Sequence, residues 1–153
     1  MRANSSPATL DAHLGYWLRR VSNHVSGAFA RALRAEEVSV AEWVALRLIH
    51  GEARRTSGDL AAITGMTRGA VSKVIEKLEG KGLVARVTDP DDSRVQWLSL
   101  TRKGMQRVPR LAALADRNDA RFFACLDACE QAELRRILEK LTEVHQFPDV
   151  PVE

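Results

Sequence analysis

The stretch TRGAVSKVIEKLEGKGLVARVTDPDDSRVQWLSLTRKG, from Thr67 to Gly104, decides the fold. Its first part places Val71, Val74, Ile75 and Leu78 on one face of a helix that Thr67 caps and Gly80 and Gly82 stop. Two strand-like runs, LVARVT and VQWLSL, flank the acidic turn DPDDSR, and Thr101 opens a fresh helix. A helix followed by a two-stranded hairpin is the plan of a winged helix-turn-helix, a DNA-reading unit.

The outer face of that helix carries Thr67, Arg68, Gly69, Ser72, Lys73 and Glu76. These are short, polar or basic, as insertion into a major groove requires. Arg68 is the candidate base reader, by a bidentate contact to guanine. Ser72 suits a base or a phosphate, and Lys73 and Lys77 suit phosphates, which position without specifying. Between Thr67 and Arg86, five basic residues (Arg68, Lys73, Lys77, Lys81, Arg86) face two acidic ones (Glu76, Glu79). Such a local excess beside a recognition-type helix is an electrostatic footprint of phosphate binding.

In the hairpin, alternation sets Leu83, Ala85 and Val87 on one face and Leu98 and Leu100 together on the return strand. Pro90 and its neighbouring aspartates set the turn. An acidic tip would repel phosphate. Asp92 is therefore expected to orient Arg94 by a local salt bridge and aim it at a minor groove; the alternative is that Arg94 only pins the turn.

Upstream, Ser57 opens a short helix with Asp59 in its first turn, Leu60 and Ile63 inward, and Gly65 as the turn. Before it, Ser39-Val40-Ala41-Glu42 is a capping box that starts a helix with Trp43, Leu46 and Ile49 on its buried side, ended by Gly51. A longer helix is predicted from about Leu10 to Arg34. Beside its apolar stripe run His13, Trp17, Arg20 and His24. They form either the rim of a helix–helix interface or one wall of a ligand pocket. With Trp43 and Arg47 of the next helix, Trp17, Arg20 and His24 make the candidate effector site. Two indoles would bracket a planar ring, and an arginine would take its carboxylate.

At these residues the chain resembles the multiple-antibiotic-resistance regulator (MarR) family. The carrying residues are Ser57 through Gly82, then Asp89-Pro90-Asp91-Asp92-Ser93-Arg94, Leu98-Ser99-Leu100-Thr101 and Gly104. The likeness extends over nearly the whole chain. Ser93 departs from the pattern, which is often basic there. The resemblance implies a mainly α protein with a small β-hairpin wing, and Arg94 entering the minor groove. It also implies a homodimer whose first and last two helices intertwine, reading a pseudo-palindromic operator.

The rest of the chain fits that plan. A helix is expected from Thr101 to about Leu126, with Pro109 as a kink point, and another from Asp127 to about Gln146. The expected layout is a disordered start at 1–8, one domain over 9–146 and an extended tail at 147–153. Within the domain, the winged helix-turn-helix covers about 39–101, and dimerisation helices cover about 10–34 and 102–146.

The 153 residues carry a net charge of +3, mildly basic and uninformative without its distribution. No signal peptide or membrane span is visible, so a cytoplasmic protein is expected, with Cys125 and Cys129 as reduced thiols on one helix face. Packing is their expected role and redox sensing the alternative. The four histidines are scattered and no nucleophile, phosphate-loop or metal motif appears, so neither an enzyme, a cofactor nor a metal site is expected. The expected partners are double-stranded DNA, a second copy of the chain and a small aromatic or anionic effector. The competing functions are a ligand-independent DNA-binding module and a cysteine-based redox regulator.

Overall fold

A computed structural model describes residues 7–51 and 54–147. The expected disorder of 1–8 and the extended tail 147–153 therefore fall almost wholly outside the described residues. A short 3-10 turn at Leu10–Ala12 precedes α1 (Leu14–Ala35). Then come α2 (Val40–His50), α3 (Ser57–Thr64), α4 (Arg68–Gly80), β1 (Val84–Thr88), β2 (Gln96–Leu100), α5 (Arg102–Phe123) and α6 (Ala128–His145).

The predicted single helix from Leu10 is broken at His13, whose backbone is extended. Leu10 and Leu14 are 76% and 88% exposed, so no tertiary packing carries the helix across this point. The break leaves the Asp11 carbonyl free, and the Trp17 indole N–H donates to it at 2.8 Å. At its other end α1 stops without glycine. Glu37 takes the left-handed conformation, and the Val38 N–H returns to the Leu33 carbonyl. Val38 is buried, which supplies the hydrophobic contact of a Schellman stop.

The capping box of α2 forms as expected: Glu42 N–H donates to Ser39 Oγ and Ser39 N–H to Glu42 Oε2. In α3 the cap is Thr56, one residue before the predicted Ser57. It exchanges hydrogen bonds with Asp59, which hold the Asp59 carboxyl below its usual range. Gly65, at φ 69°, makes the turn into α4, and Thr67 caps α4 by accepting from the Ala70 N–H. Val71, Ile75 and Leu78 are buried, joining Leu33, Leu46, Leu60, Val108 and Leu111 in one core. Each such fully buried side chain contributes about 1.5–3 kcal/mol.

The hairpin is antiparallel, with Val84 opposite Leu100, Arg86 opposite Leu98 and Val87 opposite Trp97. Ala85 and Val87 share one face and Leu98 and Leu100 another, as alternation predicts. The core face of β1 begins at Val84, while Ala85 and Val87 lie exposed with Trp97 and Ser99 on the other face. Leu83 is buried too, but as the last residue of the turn out of α4 rather than as a strand position. Arg55, just before α3, pairs with Leu98 and adds a one-residue third strand.

Helix α5 starts at the Thr101 cap and packs against α1. Gly104 in its first turn is buried, and a Cβ there would overlap the Leu83 carbonyl oxygen. Helix α6 opens on an Asp127–Glu130 capping box and has no buried residue. Helix α5 ends at Phe123, short of the predicted Leu126. Cys125 therefore sits in the turn and Cys129 in α6, not together on one helix face. Both thiols are exposed, so they do not pack within this chain.

Candidate nucleic-acid interface

Helix α4 buries one side against α2, α3 and the wing, which fixes what its other side presents. Thr67, Arg68, Gly69, Lys73 and Lys77 are exposed and Ser72 is half-buried. Among the described residues, Arg68, Lys73 and Lys77 make no salt bridge, so their charges stay available to an outside anion. A Cβ at Gly69 would meet no atom within 4 Å. The absence of a side chain there is not demanded by the protein's own packing.

Arg86 is placed differently from the others. It lies on the core face of β1, and its Nε donates to Glu79 at 3.1 Å. That pairing makes it a brace between the wing and α4, with part of its charge already answered.

The wing tip is organised by two aspartates. Asp92 grips the Arg94 guanidinium with both oxygens, Nε to Oδ1 at 3.0 Å and Nη2 to Oδ2 at 3.2 Å. Asp92 Oδ1 also accepts the Arg94 backbone N–H. The Arg94 side chain is nonetheless 89% exposed. The expected orienting salt bridge is present, and the guanidinium projects from the tip. These hydrogen bonds from Arg94 hold the Asp92 carboxyl below its usual range. Asp89 is held lower as well, first by the Trp97 indole and then by the Asp91 and Asp92 N–H groups. Sequence reasoning missed Trp97, Arg54 and Arg55. An indole facing an aspartate across the hairpin depends on strand register, which local pattern leaves open.

The candidate effector residues fall into two separate groups. Trp17 is exposed, with the Arg20 guanidinium 5.7 Å from its ring centre, and His24 is exposed further along α1. Trp43 is buried and meets Phe29 edge to face at 6.2 Å, with Arg47 5.7 Å from its ring centre. Phe29 is about 18 Å along α1 from Trp17 at the ordinary helical rise. One protomer thus does not bracket a ring between its two indoles, because α2 crosses α1 near its C-terminal end. A cavity of about 550 Å³ opens at that crossing, lined by Ala30, Arg34, Glu37, Val38, Ser39 and Val40. A second, of about 460 Å³, lies between α1, α5 and α6, with Val25, Phe123, Leu134 and Leu138 in its walls.

Among the described residues no three His, Cys, Asp or Glu side chains gather as metal ligands, and no helix is long and apolar enough to cross a membrane.

This geometry agrees with the comparisons. The sequence profile of the MarR family matches residues 37–95. The HTH-type transcriptional repressor Rv2887 of Mycobacterium tuberculosis is 35% identical over 131 residues, 86% of this chain and 94% of that protein. The crystal structure of Rv2887 in complex with DNA aligns with a TM-score of 0.71 at 34% identity, covering 86% of this chain and 98% of the other. Its complex with salicylic acid aligns with a TM-score of 0.67 at 33% identity, covering 90% and 98%. The extent of these matches, with the capped α4, the arginine-tipped wing and the glycine at the start of α5, identifies the chain as a member of the MarR family of transcriptional regulators.

Proposed function

We propose that this protein is a ligand-responsive transcriptional repressor that acts in the cytoplasm as a homodimer on a pseudo-palindromic operator. The observation that carries the reading is the free basic surface of α4 followed by the exposed, carboxylate-braced Arg94. The first enters the major groove with Arg68 reading a base, and the second reaches the flanking minor groove. Thr67, Gly69 and Ser72 line the approach, Lys73 and Lys77 hold phosphates, and Arg86 contacts DNA only after loosening from Glu79.

Dimerisation is supported by apolar surface that one chain leaves uncovered. Leu10, Leu14 and Leu18 at one end, and Ile137, Leu138 and Leu141 on α6, are 39–88% exposed. Such contiguous apolar faces mark an interface. The reading head then comprises about residues 39–101, and the dimerisation layer about 10–34 and 102–146.

The effector class is a small aromatic carboxylate. The relative solved with salicylic acid supports this, as do the arginine–indole pairs at Trp17–Arg20 and Trp43–Arg47. A ligand that contacts both pairs takes them from different protomers. It acts by binding one spacing of the two heads better than the other.

The test is selection of bound duplexes from a random pool, with affinity then measured against salt. The expected result is a palindrome with half-sites about one helical turn apart, bound with a steeply negative salt slope. No enriched palindrome and a flat salt response would overturn the reading.

A further inference from the structure

We propose that Asp89 and Trp97 are positioning residues for Arg94: they hold the wing tip in the one shape that presents its guanidinium to DNA. This rests on the DNA-binding reading above and deepens it.

The Asp89 carboxylate faces two ways. Its Oδ1 accepts the backbone N–H groups of Asp91 at 2.9 Å and Asp92 at 3.0 Å. Its Oδ2 accepts the Trp97 indole N–H at 2.6 Å. The Asp89 N–H closes the loop by donating to the Val95 carbonyl at 2.9 Å. Asp92, whose own N–H is fixed in this way, is the residue that grips Arg94. A continuous relay therefore runs from Trp97 through Asp89 and Asp92 to Arg94.

The relay is anchored at its base. Trp97 precedes the buried Leu98, whose N–H donates to the Arg55 carbonyl at 2.8 Å. The Arg55 Nε donates in turn to the Leu48 carbonyl at the end of α2. The Arg54 guanidinium lies 6.0 Å from the Trp97 ring centre and adds a cation over its face. The strand that carries the indole is thus tied to the helix-turn-helix body as well as to the tip.

The tip needs such a device. Asp89, Asp91 and Asp92 stand within four residues and repel each other and phosphate alike. With Asp89 turned inward onto N–H donors and Asp92 committed to Arg94, two of the three charges are answered. An arginine held in place also loses less rotamer freedom on docking than a free one.

Trp97→Phe keeps the ring and deletes the donor. Asp89→Asn keeps one acceptor oxygen and replaces the other with a donor. Both should leave the melting temperature near that of the wild type. In the free protein, amide exchange at Asp91 and Asp92 should quicken by about tenfold. Affinity for the selected duplex should fall by about three- to tenfold. In an Arg94→Ala background the same substitutions should cost no further affinity. Unchanged exchange at Asp91 and Asp92, or an equal affinity loss with and without Arg94, would overturn the proposal. The exchange measurement uses no DNA, so it decides the positioning role even if no duplex is selected, an outcome that would count against the DNA reading instead. If Trp97→Phe fails to fold, Asp89→Asn carries the same cycle.

Discussion

The Glu42 carboxylate, with 4% of its side chain exposed, accepts a hydrogen bond from the Lys81 ammonium at 2.6 Å. The pair joins the first turn of α2 to the end of α4. Lys81 also donates to the Glu37 carbonyl at 2.7 Å, so one ammonium ties together the α1–α2 turn, α2 and α4. Burial alone would raise the Glu42 pKa, but the hydrogen bonds from Lys81 and Ser39 together outweigh it and hold the group below its usual range.

Lys81→Ala should therefore destabilise the fold by about 1–3 kcal/mol at pH 7. The cost stays below that of a fully buried pair because Lys81 is 37% exposed. The sign with pH follows from the lowered Glu42 pKa. Its contribution is fully present above the ordinary carboxylate pKa and is lost as pH falls through the folded value. The gap between wild type and variant in urea unfolding should hold from pH 7 down to the ordinary carboxylate value and narrow as the pH falls below it. A constant gap would show that the pair is not what stabilises.

Gly104→Ala should cost about 2–3 kcal/mol, because the new Cβ meets backbone at the Leu83 carbonyl and not a yielding side chain. Gly69→Ala is the contrast. Space is open there, so stability should hold or rise slightly while operator affinity drops. Thermal melts of both, with gel shifts of the second, separate a glycine required by folding from one required by docking.

Arg68→Ala should cost about 1–3 kcal/mol on the preferred duplex and relax one base position, whereas Lys73→Ala should weaken all duplexes alike and flatten the salt slope. Binding measured on a set of single-base variants distinguishes the two. Equal, sequence-independent losses would move Arg68 to the phosphate-contacting group.

Leu138→Asp places a charge in the uncovered apolar face of α6, where Leu138 is 39% exposed. Sedimentation at micromolar concentration should show monomer, with operator affinity reduced by at least about tenfold through lost bivalency. A stable dimer would put the interface elsewhere.

Small aromatic carboxylates should bind weakly, quench tryptophan fluorescence and loosen the DNA complex. Arg47→Ala should blunt that response while leaving ligand-free DNA affinity near its original value. Calorimetry against a panel of such acids checks this. No heat from any of them would leave Trp43 and Phe29 as packing alone.

The reading helix was legible because its signals are local: a threonine cap, inward residues at helical spacing and a glycine stop all fall within residues 67–82. The Asp92–Arg94 bridge was legible for the same reason, being two residues long. What escaped depended on distant partners. The break at His13 follows from missing tertiary support, and the Trp97–Asp89 bond from strand register. Which face of the wing meets the core was not legible, because LVARVT offers apolar residues on both faces. Only pairing with β2 shows that Arg86, not Val87, turns towards α4. The split of the effector residues likewise reflects where α2 crosses α1, which periodicity does not reveal.

Helix α6 buries none of its residues in its own chain, whereas α1 and α5 send Leu33, Val108 and Leu111 into the core shared with the reading head. Two parts of one polypeptide therefore obey different laws. In the proposed homodimer the head, with α1 and α5 packed on it, forms by a unimolecular process, and α6 covers its apolar face only on encounter with another copy. The amount of competent regulator in a cell then scales, at low expression, with the square of the amount synthesised. A modest change in production would be felt at the operator as a larger change in occupancy, before any effector intervenes.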